Sequence, residues 1–182
     1  MTYAIHVFFD HKTDVLIRNI WATLAKENLE TYMHESRNKP HLTLAIIEDL
    51  NVKIAQKALI KFCESRSALP ITFAQIGFFP RPGKVVFWAP VVTNELLLFH
   101  NEVIEIFRFC DSQKSTYYQP GKWTPHCSLA LEIEDQKSIP QIIEICSTLP
   151  TPHEAMITEI GLISFRPVKH ICACPLSAKV TG

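Results

Sequence analysis

The sequence has no excess of charge of either sign: 18 Lys and Arg residues balance 18 Asp and Glu, for a formal net charge of zero. A protein that grips long nucleic acid through many phosphates is normally basic. The balance therefore excludes a non-specific duplex binder but leaves room for a site that holds one or two phosphates. Long apolar runs are absent too. The most apolar stretches, such as residues 85–92, fall well short of the about 20 residues that a membrane-spanning helix needs, so no membrane association is expected. The N-terminus offers neither a basic start nor a small-residue cleavage site, and no secretory signal is expected. The six cysteines, at positions 63, 110, 127, 146, 172 and 174, form no Cys-x-x-Cys pair. They are expected to be reduced thiols packed inside a cytoplasmic protein.

What is present is a globular composition. With 47% hydrophobic and 20% charged residues over 182 positions, the chain is not intrinsically disordered. It is long enough to bury roughly two-thirds of its unfolded surface without staples. Hydrophobic periodicity predicts strands over residues 3–9, 41–47, 71–79, 85–92, 126–133, 155–165 and 169–176. It predicts helices over 12–27, 51–64, 94–110 and 138–148. Pro80-Arg-Pro-Gly83 reads as a turn between two of the strands.

Laid end to end, these elements repeat. Strand, helix, strand, helix, strand runs from residue 3 to 79 and again from 85 to 165, with one strand added. Pro40-His41-Leu-Thr43-Leu matches Pro125-His126-Cys-Ser128-Leu, and Ile76-Gly77-Phe matches Ile160-Gly161-Leu. Two copies are too few for a solenoid. They predict a single α+β domain over residues 1–182 built of two related lobes, about 3–84 and 85–177. The patternless stretch 111–122 is long for a loop and is a candidate functional segment.

Side chains at i and i+2 of a strand share a face. His41 and Thr43 therefore point one way, while Leu42, Leu44 and Ile46 are expected to pack the other way. In the second copy His126 and Ser128 share a face, with Cys127, Leu129 and Leu131 beneath. If the lobes meet about a pseudo-two-fold axis, two imidazoles and two hydroxyls converge on one cleft. That set suits in-line displacement at phosphorus. One neutral imidazole takes a proton from the nucleophile, one imidazolium gives a proton to the leaving oxygen, and the hydroxyls donate to the non-bridging oxygens. No metal or cofactor is required, and no third and fourth ligand with recognisable spacing accompany the two histidines. A nearly symmetric cleft leaves open which histidine is the acid. The other histidines, His6, His11, His34, His100, His153 and His170, have no such context and are expected to be ordinary packing or surface residues.

The flanking residues suggest where a nucleotide would lie. Tyr118 and Trp123, with Tyr117 and Phe79, could offer a base a stacking platform. Strand parity, however, turns Trp123 to the face opposite His126. For the phosphate charge, Lys122 and Arg81 are favoured over Lys39 and Lys84. Glu132 is expected on the His126 face, where it would disfavour a long polyanion.

The two motifs resemble the paired His-x-Thr/Ser motifs of the 2H phosphoesterase superfamily. The form Trp123-Thr-Pro-His-Cys-Ser-Leu is most similar to the second motif of its branch of 2′-5′ RNA ligase-like proteins. The resemblance covers nearly the whole chain. It implies a bilobal fold with a central groove between two antiparallel sheets and metal-independent action on a 2′,3′-cyclic phosphate or a 2′-5′ linkage, with RNA ligation as the reverse direction. His41 and His126 would act as acid and base, and Thr43 and Ser128 would hold the phosphate. The ligand would be a nucleotide or short RNA carrying such a phosphate. The Arg that some members carry shortly after a motif is missing, since Ala45-Ile-Ile and Ala130-Leu-Glu132 stand there. A non-catalytic module that binds a nucleotide or RNA end in the same groove is the alternative.

Overall fold

Each strand of this chain has an apolar face to hide, and each helix an apolar stripe. The fold places the stripes against a single antiparallel sheet. The computed structural model describes residues 1–36, 38–80, 83–108, 115–165 and 167–177. The expected positions Arg81 and Cys110 and residues 111–114 of the loop 111–122 lie outside them. The strands are β1 (Thr2–Phe9), β2 (His41–Glu48), β3 (Leu69–Phe79), β4 (Val85–Pro90), β5 (Cys127–Ala130), β6 (His153–Phe165) and β7 (Lys169–Pro175). The helices are α1 (His11–Lys26), α2 (Tyr32–Glu35), α3 (Val52–Glu64), α4 (Asn94–Ile106) and α5 (Ile139–Cys146).

Local chemistry sets the helix starts. Asp10, Asn51 and Thr93 each accept the backbone N–H three residues on, Thr13, Ile54 and Leu96 respectively, which satisfies a donor that the first turn leaves free. The apolar stripe of α1 buries Ile17, Ile20, Trp21 and Leu24, as its spacing predicts. In α3 the buried positions are Ala55, Leu59, Phe62 and Cys63, and Ile54 stands at the solvent edge of the stripe. The short α2 has no periodicity to announce it. It is fixed by Glu30, whose buried carboxylate accepts the Met33 N–H.

The sheet is seven-stranded, in the order β2-β1-β6-β3-β4-β5, with β7 paired to β6. The order is palindromic when each strand of the first unit is exchanged for its counterpart in the second. The third strand of each unit crosses over, so β6 joins β1 while β3 joins β4. The two crossing strands also pair with each other, Leu69–Phe73 against His153–Ile157, and make the seam that joins the halves. The motif strands β2 and β5 lie at opposite ends of this order, yet they touch. The sheet therefore curls far enough to bring its two ends together, as the accumulated twist of many strands allows.

The repeated glycines serve close approach. A Cβ at Gly77 would run into the ring of Phe87, and one at Gly161 into the ring of Phe8. Both rings are buried, so neither can swing aside. Gly77→Ala and Gly161→Ala are each expected to cost about 1–3 kcal/mol through overpacking, measured as a lower urea midpoint at unchanged slope.

Candidate active site

Both motif strands carry an extra residue at the same place. The pairing of β1 with β2 jumps from His6 opposite Thr43 to Ile5 opposite Ala45. That of β4 with β5 jumps from Phe87 opposite Ser128 to Val86 opposite Ala130. Leu44 and Leu129 are the inserted residues, and both are fully buried. A bulge resets the alternation of faces. Ile46 and Leu131, which strict alternation assigns to the packed side, are therefore on the cleft side with the motif residues. The same reset, and the end of β5 at Ala130, displace Glu132. It has a left-handed backbone (φ 51°), is exposed, and lines neither cavity described below, contrary to its expected place on the His126 face.

His41, Thr43, His126 and Ser128 line one cavity of about 300 Å³. The two imidazoles are set identically. Nδ1 of His41 lies 2.7 Å from the carbonyl oxygen of Lys39, and Nδ1 of His126 lies 2.7 Å from that of Thr124, each two residues earlier. A carbonyl only accepts, so Nδ1–H is the donor in both rings. Each Nε2 is left with a lone pair when the ring is neutral. Burial pushes the pKa of His41 down to about 4, with the Lys39 carbonyl opposing and the nearby His126 and His170 adding to the drop. Burial also lowers His126, against the pull of the Thr124 carbonyl. Such a pair, aimed by the same device, can take a proton at one Nε2 where that ring is neutral and give one from the other Nε2 where that ring is an imidazolium.

The surroundings of the two rings differ. His6 stacks on His41 with centroids 3.7 Å apart and planes within 7°. His6 is buried, its Nδ1 has no partner, and burial holds its pKa well below the usual range. The residue opposite Ser128, where His6 stands opposite Thr43, is Phe87. Phe87 and Phe79 flank His126 at 5.4 and 5.0 Å. From its sequence context alone, His6 reads as ordinary packing. The available signal was a polar residue within the otherwise apolar run of β1.

A second cavity of about 300 Å³ adjoins His126. Phe79, Tyr117, Tyr118, Lys122, Trp123 and Thr124 complete its lining. Tyr118 lines both cavities, and Thr43 shares the main one with it. Trp123 is largely committed to the fold. Its Nε1–H donates to the Thr43 carbonyl at 2.9 Å, and its ring stacks on His100 at 4.0 Å. His100 Nε2 lies 3.1 Å from the carbonyls of both Leu44 and Tyr118, which makes it an N–H donor shared between the bulge and the loop. His100 too was expected to be ordinary packing. Among the other cations, Lys39 pairs with Glu159 at 2.8 Å and Lys84 donates to the Glu134 carbonyl. Arg81 lies outside the described residues. Among the described residues no three His, Cys, Asp or Glu side chains group as a metal site, and no helix is long and apolar enough to cross a membrane.

Comparison with known proteins bears on this arrangement. The model of the 2′-5′ RNA ligase superfamily matches residues 14–168. No curated protein sequence matches the chain. Among solved structures, the Thermus thermophilus protein TT0787 superposes with a TM-score of 0.64 at 13% identity, over 98% of this chain and 100% of that one. Escherichia coli LigT complexed with 3′-AMP gives 0.60 at 16% identity, covering 96% and 97%. Kluyveromyces marxianus Usb1 gives 0.55 at 9% identity, covering 96% and 98%. At these identities the likeness establishes the fold.

The lowered pKa of His41 has a measurable sign. Above about pH 6.5 the ring is neutral in both folded and unfolded chains. Below that, the unfolded chain takes up a proton that the native ring refuses until about pH 4, so this group's contribution makes stability fall as pH drops through that window. An ¹⁵N NMR titration is expected to find His41 in the Nδ1–H form and neutral until about pH 4. Protonation of His41 in the ordinary range near pH 6.5 would contradict the burial described above.

Proposed function

The chain belongs to the 2′-5′ RNA ligase superfamily, matched over residues 14–168, and from that premise we propose that it is a metal-independent phosphoesterase acting at a ribose 2′-linked phosphodiester. The substrate on this reading is a 2′,3′-cyclic phosphate or a 2′-5′ linkage of a nucleotide or short RNA. The observation that carries the proposal is the duplicated imidazole, with Nδ1–H held by the carbonyl two residues back, set beside a hydroxyl in one cavity. The LigT structures with 3′-AMP, NADP+ and ATP support a nucleotide as the ligand class. The free thiols of Cys63, Cys127, Cys146, Cys172 and Cys174 support a reducing, cytoplasmic setting.

In the hydrolytic direction we assign His41 as base and His126 as acid. Burial draws His41 down to about 4, which keeps its Nε2 lone pair available at neutral pH. His126 is the ring next to Lys122 and the aromatic cavity, and a bound phosphate would raise its pKa by favouring the charged form. Water loses a proton to His41 Nε2 as its oxygen bonds to phosphorus. The opposite phosphorus–oxygen bond breaks, and the departing ribose oxygen takes the proton from His126 Nε2. The hydroxyls of Thr43 and Ser128 donate to the non-bridging oxygens, where charge grows. Solvent then resets the two rings.

His41→Ala and His126→Ala are each expected to lower kcat by about 10²–10⁴-fold while circular dichroism shows an unchanged fold. The wild-type pH–rate profile should be bell-shaped, and turnover should persist in a chelator. The assay is product analysis on a panel of 2′,3′-cyclic nucleotides and 2′-5′ oligoadenylates. Tight binding without product would replace the enzyme with a binding module, and undiminished turnover in both variants would remove the acid–base roles.

A further inference from the structure

The duplication supplies the cleft with a second aromatic arm that the motif residues do not use. Tyr117 stands nine residues before His126, and Tyr32 stands nine residues before His41. Each rides on a short helical turn, Tyr117 in the 3-10 turn Thr116–Tyr118 and Tyr32 at the start of α2. Both rings are left open to solvent, at 71% and 44% exposure, in a chain that buries most of its large apolar side chains. Tyr117 lines the cavity beside His126. Tyr32 lines the main cleft, which on the His41 side also takes in Met33, Ser36 and Asn38.

The turn under Tyr32 is a built one. Glu30, 7% exposed, accepts the Met33 N–H through both carboxylate oxygens, at 3.1 and 3.3 Å. Ser36 Oγ donates to the Met33 carbonyl and accepts the Asn38 N–H. A ring carried on such a turn loses little freedom when a flat ligand stacks on it. Open rings therefore stand on both flanks of the four motif residues, and each cavity is about 300 Å³, enough for a small-molecule fragment.

Resting on the phosphoesterase reading above, we propose that the cleft is built for a phosphodiester carrying a nucleoside on each side. Tyr32 is the stacking platform for the nucleoside on the His41 flank and Tyr117 for the one on the His126 flank. A cyclic mononucleotide has one base and fills only one flank, the aromatic wing beside His126 with Phe79 and Trp123. A 2′-5′-linked dinucleotide fills both, and is the preferred class.

The test compares 2′-5′-linked ApA with adenosine 2′,3′-cyclic phosphate on the wild type, Tyr32→Ala, Tyr32→Phe and Tyr117→Ala. Loss of one base stack is worth about 5- to 150-fold. Tyr32→Ala is expected to raise KM for the dinucleotide by that factor and leave the cyclic mononucleotide unchanged. Tyr32→Phe keeps the ring and should match the wild type, while Tyr117→Ala should weaken both ligands. Calorimetric binding of the same two compounds separates this inference from the catalytic one. If neither compound is turned over but Tyr32→Ala still loses affinity for the dinucleotide alone, the two-nucleoside cleft stands and the phosphoesterase reading falls. If both are turned over and Tyr32→Ala affects them equally or not at all, the phosphoesterase reading stands and the second nucleoside site is overturned.

Discussion

The cleft exists because two ends of one sheet are held against each other at their bulges. A bulge turns backbone carbonyls off the ladder, and a buried carbonyl must find a donor. Here the donors come from across the cleft. Trp123 gives its indole N–H to the Thr43 carbonyl, and Trp21 gives its own to the equivalent carbonyl of Ser128 at 3.2 Å. Each half thus satisfies the other half's motif strand. His100 adds a donor shared between the Leu44 and Tyr118 carbonyls. Removing one of these donors would strand a buried acceptor, which costs more than the net worth of the bond. The geometry of the four motif residues depends on this reciprocal latch more than on any contact among them.

Duplication by itself would give a cleft with no direction, because two equivalent imidazoles can exchange roles. The structure departs from symmetry in the residues around the rings. His6 stacks on His41 while Phe79 and Phe87 flank His126. Lys39 precedes the first motif and is drawn into a pair with Glu159, whereas Lys122 precedes the second and lines the aromatic cavity. Burial then separates the two rings in proton affinity, with His41 the one taken down to about 4. Repetition positions two imidazoles, and divergence of their neighbours distinguishes them.

This division also explains what the sequence discloses. The repeat, the mixed α+β class and the strand–helix order are legible because strands and helices bury apolar residues at different periods, and both copies keep the pattern. His41 with Thr43 and His126 with Ser128 are legible because the same spacing occurs twice. The inward turn of Ile46 and Leu131 is not, since a parity argument counts residues and a bulge changes the count. The crossing of β3 and β6 between halves is also hidden. Both read as ordinary strands, and pairing partners distant along the chain leave no local mark. His6 and His100 escape because a lone histidine among apolar neighbours looks the same whether it packs a core or supports a site.

The bulges also answer a question about placement. β2 and β5 end the main order of the sheet, and an exposed edge offers unpaired backbone groups to any strand that passes. Placing the motif residues on edges therefore carries a hazard that a central strand would avoid. A central strand, however, has neighbours on both sides and leaves no flank for a loop to fold over the site. In this fold the inserted Leu44 and Leu129 break the edge as a template at the point where it would otherwise be flat. The segment before β5 closes onto the outside of β2, with the Ser115 N–H on the Ile46 carbonyl at 3.1 Å. One irregularity, made twice, blunts the edges, turns the polar pairs and the apolar Ile46 and Leu131 toward the same space, and frees the carbonyls by which the halves hold together.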